Sequence, residues 1–140
     1  MSQTISLSKD MMEDIYDHCR QEYPYECCGL LIGDYDTKKV EKVMRTRNIW
    51  QERMEDRFEI DPEDLVKGEK LARDLSLDVI GYYHSHPDHP NEPSEFDRER
   101  AFFGMSYIIV QTIKGQETLP KSWVLDEETS QFTEEIINIT

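Results

Sequence analysis

A run of strand-forming residues that ends in two histidines constrains the fold of this chain more than any other feature. Residues 78–83 are rich in β-branched and aromatic side chains, and His84 and His86 follow at once. Side chains on a strand alternate between its two faces, so residues two apart project from the same face. The sequence therefore predicts a strand that presents two imidazoles side by side at its end.

The segment after these histidines supplies a third candidate ligand. Residues 87–93 contain three prolines, which predicts a rigid loop, and a helix is expected to begin near Ser94 with Asp97 in its first turn. Two histidines and one carboxylate leave a coordination position open for water, as in catalytic zinc sites, whereas structural zinc sites are closed by four protein ligands. His84, His86 and Asp97 are thus predicted to bind one zinc ion per chain.

Each half of this pattern also has a purely structural interpretation. The spacing Ser94-x-x-Asp97 matches a helix capping box with aspartate in place of the usual glutamate or glutamine. Two histidines on a strand can be satisfied by ordinary hydrogen bonds. His89, in the loop, is predicted to face solvent or to support the ligands rather than to bind metal. The occurrence of both halves together favours the metal site.

A hydrolytic zinc site also needs a proton acceptor, and Glu26 is the best upstream candidate. It precedes residues 28–32, an almost wholly apolar run that predicts a central strand. Partial burial at the mouth of such a strand would raise the pKa of the carboxyl group, which suits a general base that works near neutrality. The alternative, that Glu26 only follows the first helix in water, stays open at this point.

Together these residues resemble the JAMM, or MPN-plus, metalloproteases. Their pattern is a distant glutamate, then His-Ser/Thr-His-Pro, then Ser-x-x-Asp. This chain has Glu26, His84-Ser85-His86-Pro87 and Ser94-Glu95-Phe96-Asp97, with seven residues between the second histidine and the serine. The likeness extends over about residues 23–124, and the joint motif is specific although each piece is weak.

The resemblance implies a role for each motif residue. The two histidines and Asp97 would be zinc ligands, Glu26 the general base and acid, and Ser94 a hydrogen-bond donor to the oxyanion. The glutamate is matched through its Glu-Cys-Cys-Gly-Leu-Leu context and not by a fixed spacing, so Glu22 is the alternative base. The implied reaction is metal-assisted hydrolysis of an amide bond.

The resemblance also implies a class of substrate. Family members that trim ubiquitin chains carry insertions around the groove, whereas short, stand-alone prokaryotic members of this size act on ubiquitin-like sulfur-carrier proteins. The expected reaction is therefore hydrolysis after the carrier's C-terminal Gly-Gly, with cysteine the favoured adduct. A Gly-Gly tail lacks side chains and can lie extended in a narrow groove.

Other functions are compatible with parts of this motif. A general zinc peptidase, a deubiquitinase-like isopeptidase and a non-catalytic MPN-type scaffold module remain alternatives, although the complete motif disfavours a scaffold. A zinc deaminase would need His-x-Glu and a downstream Pro-Cys-x-x-Cys, and this chain has neither around His84.

Composition bounds the remaining possibilities. The 140 residues fit a single domain, 1–140, and the 30 acidic against 16 basic residues give a net charge of −14, which argues against nucleic acid as a partner. The absence of a long apolar run or leader pattern predicts a cytoplasmic protein with no membrane association. Three cysteines without C-x-x-C spacing predict reduced thiols.

The order of predicted elements indicates an α/β fold. Capped helices are expected at 8–22 (after Ser8) and 62–75 (after Asp61), besides the helix at Ser94. Strands are expected, in addition to the histidine-bearing strand, at 28–33, 39–45, 106–112 and 122–126, with an edge strand at 131–139. This is a mixed sheet flanked by helices on both sides, a three-layer domain with the cytidine-deaminase-like architecture that the JAMM/MPN resemblance implies.

One charge-rich segment, residues 46–59, is the predicted surface loop. It contains Trp50, which is expected to pack over the sheet edge, with contact to a partner protein as the alternative.

Overall fold

A computed structural model describes residues 4–117 and 120–140, and within these ranges the chain forms eight strands and three helices. In chain order they are β1 (Thr4–Leu7), α1 (Lys9–Glu22), β2 (Cys28–Asp34), β3 (Lys39–Thr46), α2 (Pro62–Asp74), β4 (Asp78–Pro87), α3 (Glu95–Arg100), β5 (Ser106–Ile113), β6 (Gln116–Glu117), β7 (Lys121–Leu125) and β8 (Phe132–Ile139). Every helix and strand predicted from the sequence is present. Two short strands, β1 and β6, were not predicted.

The strands form one mixed sheet in the order β4-β2-β3-β1-β8-β7-β5-β6. Strand β1 is parallel to β3 and β8, and β4 is parallel to β5, whereas the other pairs are antiparallel. The α/β class and the mixed sheet are thus confirmed. The pairing of β4, the first strand in this order, with β5, the last but one, closes the sheet into a barrel-like ring. The sequence predicted a mixed sheet as the middle layer of a three-layer domain, but it did not predict that this sheet closes on itself.

The C-terminal strand corrects a second expectation. Residues 131–139 were predicted to add an edge strand, but β8 pairs with β7 on one side and with β1 on the other. The reason is β1 itself, which has only four residues and gives too short a pattern to be recognised in the sequence. Because β1 lies between β3 and β8, the tail becomes an interior strand of the ring.

The predicted caps determine where the two longer helices begin. The Ser8 side chain accepts a hydrogen bond from the Met11 N–H at 3.1 Å at the start of α1, and Asp61 accepts one from Glu63 at the start of α2. Helix α1 buries Met12, Ile15 and Cys19 in the main apolar cluster. None of the helices in the described ranges is long and apolar enough to cross a membrane.

Two adjacent residues of β2 pack in different surroundings. Leu31 belongs to the same apolar cluster as α1, whereas Leu30 lies against Gly68 of α2, where an added Cβ would come within 2.1 Å of the leucine Cδ1. Adjacent strand residues point to opposite faces, so the apolar cluster and Gly68 of α2 lie on opposite faces of β2. Strand β2 is therefore held rigidly, and it runs beside the strand that carries the histidines.

Candidate metal centre

The two histidines lie in the interior of the sheet, near the end of β4. His84 is opposite Cys28 of β2 on one side and Ile109 of β5 on the other. Both imidazoles are 1% exposed, and their Nε2 atoms are 3.2 Å apart. The alternation of side chains along the strand predicted this pairing, and pairing of β4 on both sides holds its backbone in place.

Asp97 of α3 completes a compact triangle with the histidines. Its Oδ2 atom is 3.0 Å from His86 Nε2 and 3.3 Å from His84 Nε2. Burial alone would raise the pKa of this carboxyl group, but the adjacent His84 and His86 imidazoles hold it well below its usual range. Asp97 is therefore a buried carboxylate that faces two imidazole nitrogens.

The capping box at α3 is present as well. The Ser94 Oγ atom accepts a hydrogen bond from the Asp97 N–H at 3.0 Å, and Asp97 Oδ2 accepts one from the Ser94 N–H at 2.9 Å. The structural and metal-binding interpretations of Ser94-x-x-Asp97 are thus compatible, because the cap orients the same oxygen that faces the histidines. The Ser94 hydroxyl accepts in this bond, so its own proton remains available to a ligand.

A hydrogen bond on the far side of the His86 ring favours the tautomer that a metal requires. The Pro90 carbonyl lies 2.6 Å from His86 Nδ1, so Nδ1–H donates and the Nε2 lone pair faces the triangle. His84 Nδ1 is buried without a hydrogen-bond partner among the described residues, and the Phe58 ring stacks on this imidazole at 4.5 Å between centroids. Both Nε2 atoms nevertheless lie within 3.3 Å of the same Asp97 oxygen.

Glu26 lies beside this triangle because the segment that precedes β2 runs along β4. The Cys27 N–H donates to Ser85 Oγ at 2.9 Å, and the Ser85 N–H donates to the Cys27 carbonyl at 3.2 Å. Since Ser85 lies between the two histidines, these bonds bring Glu26 to them. Glu22, the alternative base, is exposed at the end of α1.

The Glu26 side chain is buried, and one of its carboxylate oxygens lacks a hydrogen bond from any described residue. It is 2% exposed, and its Oε1 atom has no hydrogen-bond partner within the described residues. Its Oε2 atom is 3.7 Å from His89 Nε2. Burial, followed by the negative charge of Asp97, raises the pKa of Glu26 to about 10. The interpretation of Glu26 as a solvated residue after the first helix is thus wrong.

The donor set fits a zinc ion. Tetrahedral bonds of about 2.0–2.2 Å place ligand atoms about 3.3–3.6 Å apart, and the observed separations of 3.2, 3.0 and 3.3 Å among the three predicted ligands are close to this. Ligand atoms of Glu26, His84 and His86 also lie within 4.8 Å of one another, so a second carboxylate is near. Asp97 makes the shorter approaches, which favours it as the ligand and leaves Glu26 beside the centre.

Three aromatic or imidazole side chains around the centre had no definite role in the sequence-based prediction, namely Phe58, Trp50 and His89. Phe58 stacks on His84, and Trp50 meets Phe96 edge-on, with 5.3 Å between ring centroids. The aromatic residues in the charge-rich loop were the only signal for these contacts. His89 stacks on His86 at 4.1 Å between centroids, so it supports the ligands, one of its two predicted roles.

Comparison with known proteins agrees with this geometry. Residues 8–126 match the family model described as prokaryotic homologs of the JAB domain. The chain belongs to this family. The predicted resemblance to the JAMM/MPN-plus group, in its short stand-alone prokaryotic form, is confirmed.

Individual members of the prokaryotic JAB family match most of the chain. A desampylase of Haloferax volcanii is 35% identical over 113 residues, which are 77% of this chain and 81% of that protein. A probable TtuB-protein conjugate cleaving protease of Thermus thermophilus is 30% identical over 104 residues, 74% of this chain and 68% of the relative. A solution structure of a protein from Desulfitobacterium hafniense superposes with a TM-score of 0.82 at 32% identity and covers 97% of this chain and 92% of its own.

Proposed function

We propose that this prokaryotic JAB-domain protein, working as one domain over residues 1–140, is a zinc-dependent peptidase. Its substrate would be an amide or isopeptide bond after the C-terminal Gly-Gly of a ubiquitin-like or sulfur-carrier protein. The observation that carries the proposal is the buried triangle of two imidazoles and one carboxylate, beside a Glu26 oxygen that has no partner among the described residues. The names of the two relatives, a desampylase and a conjugate cleaving protease, support the class of substrate.

His84, His86 and Asp97 would hold the zinc ion. When bound, zinc supplies a Lewis acid for the scissile carbonyl and lowers the pKa of the attacking water to about 7. Burial raises the pKa of Glu26 in the metal-free site. An adjacent cation stabilises the carboxylate, so zinc would lower this pKa toward the range of a working base.

The remaining steps fall to Glu26 and Ser94. Glu26 accepts the proton of the attacking water at Oε1, which no described residue occupies with a hydrogen bond, and passes it to the leaving amine. The Ser94 hydroxyl donates to the oxyanion of the tetrahedral intermediate, since its oxygen is already fixed by the Asp97 N–H.

An apolar cavity next to the centre supports binding of a protein tail. Its volume is about 410 Å³, and Phe58, which stacks on His84, forms part of its wall. Further apolar side chains line it, namely Ile60, Pro62, Leu65, Tyr82, Phe102 and Tyr107. An extended tail could enter along this wall and present its last carbonyl at the histidines.

The Gly-Gly requirement can be tested with a matched pair of substrates. A carrier protein that ends in Gly-Gly plus one further residue should be trimmed after the terminal glycine. The same carrier with leucine in place of that glycine should resist, because a side chain would obstruct the approach of the carbonyl. Mass spectrometry reads both products. Equal cleavage of the pair, or of unrelated unfolded proteins, would instead indicate a general peptidase.

Replacement of Ser94 by alanine should lower kcat by about 10²- to 10³-fold through loss of an oxyanion donor. It should also cost about 1 kcal/mol of stability through loss of the α3 cap. Ser8→Ala removes the cap of α1 in the same way and is the matched control, with similar destabilisation and normal kcat. Steady-state kinetics and thermal denaturation separate the two effects. If both variants have normal kcat, Ser94 acts only as a cap.

A further inference from the structure

The loop that joins β3 to α2 contacts every element that carries the candidate centre. This site loop, residues 47–61, stacks Phe58 on His84 and places Trp50 against Phe96, the neighbour of Asp97. Its Met54 carbonyl accepts a hydrogen bond from the Glu26 N–H at 2.7 Å. The conformation of the site loop therefore bears on both the ligands and the proposed base.

Asn48 holds the site loop together. Its Nδ2 donates to the carbonyls of Glu26 at 3.0 Å and Arg57 at 3.1 Å. Its Oδ1 accepts from the backbone N–H groups of Trp50 and Glu59, both at 3.0 Å. An asparagine side chain has two donors and two acceptor lone pairs, so all four are used. Asn48 therefore links both ends of the site loop to the Glu26 carbonyl.

Glu26 depends on these bonds for its position. Its backbone N–H and carbonyl are both held by the site loop, through Met54 and Asn48. In contrast, its carboxylate has only His89 within ion-pair distance, at 3.7 Å, and one oxygen with no partner among the described residues. The backbone therefore does most to fix where the carboxylate oxygen lies.

We propose that Asn48 is a positioning residue for Glu26. By joining the site loop to the Glu26 carbonyl, it fixes the base at the distance from the metal ligands that proton transfer requires. The proposal rests on the proposed peptidase function. It predicts that Asn48 affects the rate of the chemical step, because its side chain holds the Glu26 carbonyl and is not itself among the residues that line the cavity.

The kinetic test uses the full chain loaded with zinc and the Gly-Gly adduct as substrate. Asn48→Ala should lower kcat by about 10- to 10²-fold, as expected for a misplaced base, with KM and zinc content unchanged. Asn48→Asp keeps an acceptor but loses both donors, so it should show the same loss and serves if the alanine variant fails to fold. Asn138→Ala, in β8, is the control and should have normal kcat.

A double-mutant cycle distinguishes positioning from general weakening of the fold. If Asn48 acts through Glu26, Asn48→Ala should cause little further loss in a Glu26→Gln chain. Losses that multiply in full, or a normal kcat in both Asn48 variants, would overturn the proposal.

Hydrogen exchange gives a readout that does not need activity. The Glu26 amide should exchange faster in both Asn48 variants than in the wild type, with or without zinc, because the Met54 acceptor is no longer held. Unchanged exchange would overturn the positioning role. If the wild-type protein cleaves no adduct, the proposed function fails. The comparison of Glu26 amide exchange between the wild type and the Asn48 variants still decides whether Asn48 holds Glu26 in place.

Discussion

Zinc content should fall far below one ion per chain in each of three alanine variants of the proposed ligands: His84→Ala, His86→Ala and Asp97→Ala. Each change removes one of only three protein ligands. The affinity should therefore fall by more than the roughly 10- to 100-fold that loss of a supporting outer residue costs. Peptidase activity should be lost with the metal. Elemental analysis after dialysis against a weak chelator measures the zinc content directly.

Two further variants make this experiment specific. His89→Ala removes an imidazole that stacks on His86 but supplies no ligand atom in the proposal, so the zinc should largely remain. Asp97→Asn keeps an oxygen that can accept the Ser94 N–H bond of the cap but loses the charge, so the fold should persist while zinc affinity falls. Full zinc retention by both Asp97 variants would mean that Asp97 only caps α3.

Glu26→Gln is expected to lower kcat by about 10²-fold or more, the scale of general acid–base catalysis. Glutamine keeps the size and polarity of the side chain but cannot accept the proton, so zinc content and thermal stability should stay normal. Circular dichroism, elemental analysis and steady-state kinetics on the same preparation measure all three quantities.

Glu22→Gln is the matched control for this variant. Glu22 lies only four residues earlier but is exposed at the end of α1, so this change should leave kcat unaffected. The reverse outcome, an active Glu26→Gln and an inactive Glu22→Gln, would mean that Glu22 and not Glu26 is the catalytic glutamate.

Local patterns predicted the elements that build the centre. Alternation along residues 78–83 placed His84 and His86 on one face, and cap residues such as Ser8 located the helices. These features depend on neighbours in the chain, and a single sequence contains that information.

Long-range features could not be predicted in the same way. Closure of the sheet depends on parallel pairing of β4 with β5 and on the four-residue β1, neither of which leaves a periodic signal. The four hydrogen bonds of Asn48 depend on the path of an irregular loop, so nothing in the sequence distinguishes this asparagine from a surface residue. The apolar run after Glu26 indicated its partial burial, but its position beside the histidines depends on how β2 and β4 pair, which is evident only from the structure.

A zinc titration of activity tests the central claim most directly. Metal-free protein is mixed with increasing zinc, and mass spectrometry follows removal of the residue attached after Gly-Gly on a carrier protein. We predict no cleavage without metal and a rate that rises in proportion to zinc until one equivalent per chain is bound. Cleavage by the metal-free protein, or no cleavage of the adduct by the chain with one bound zinc, would contradict the account.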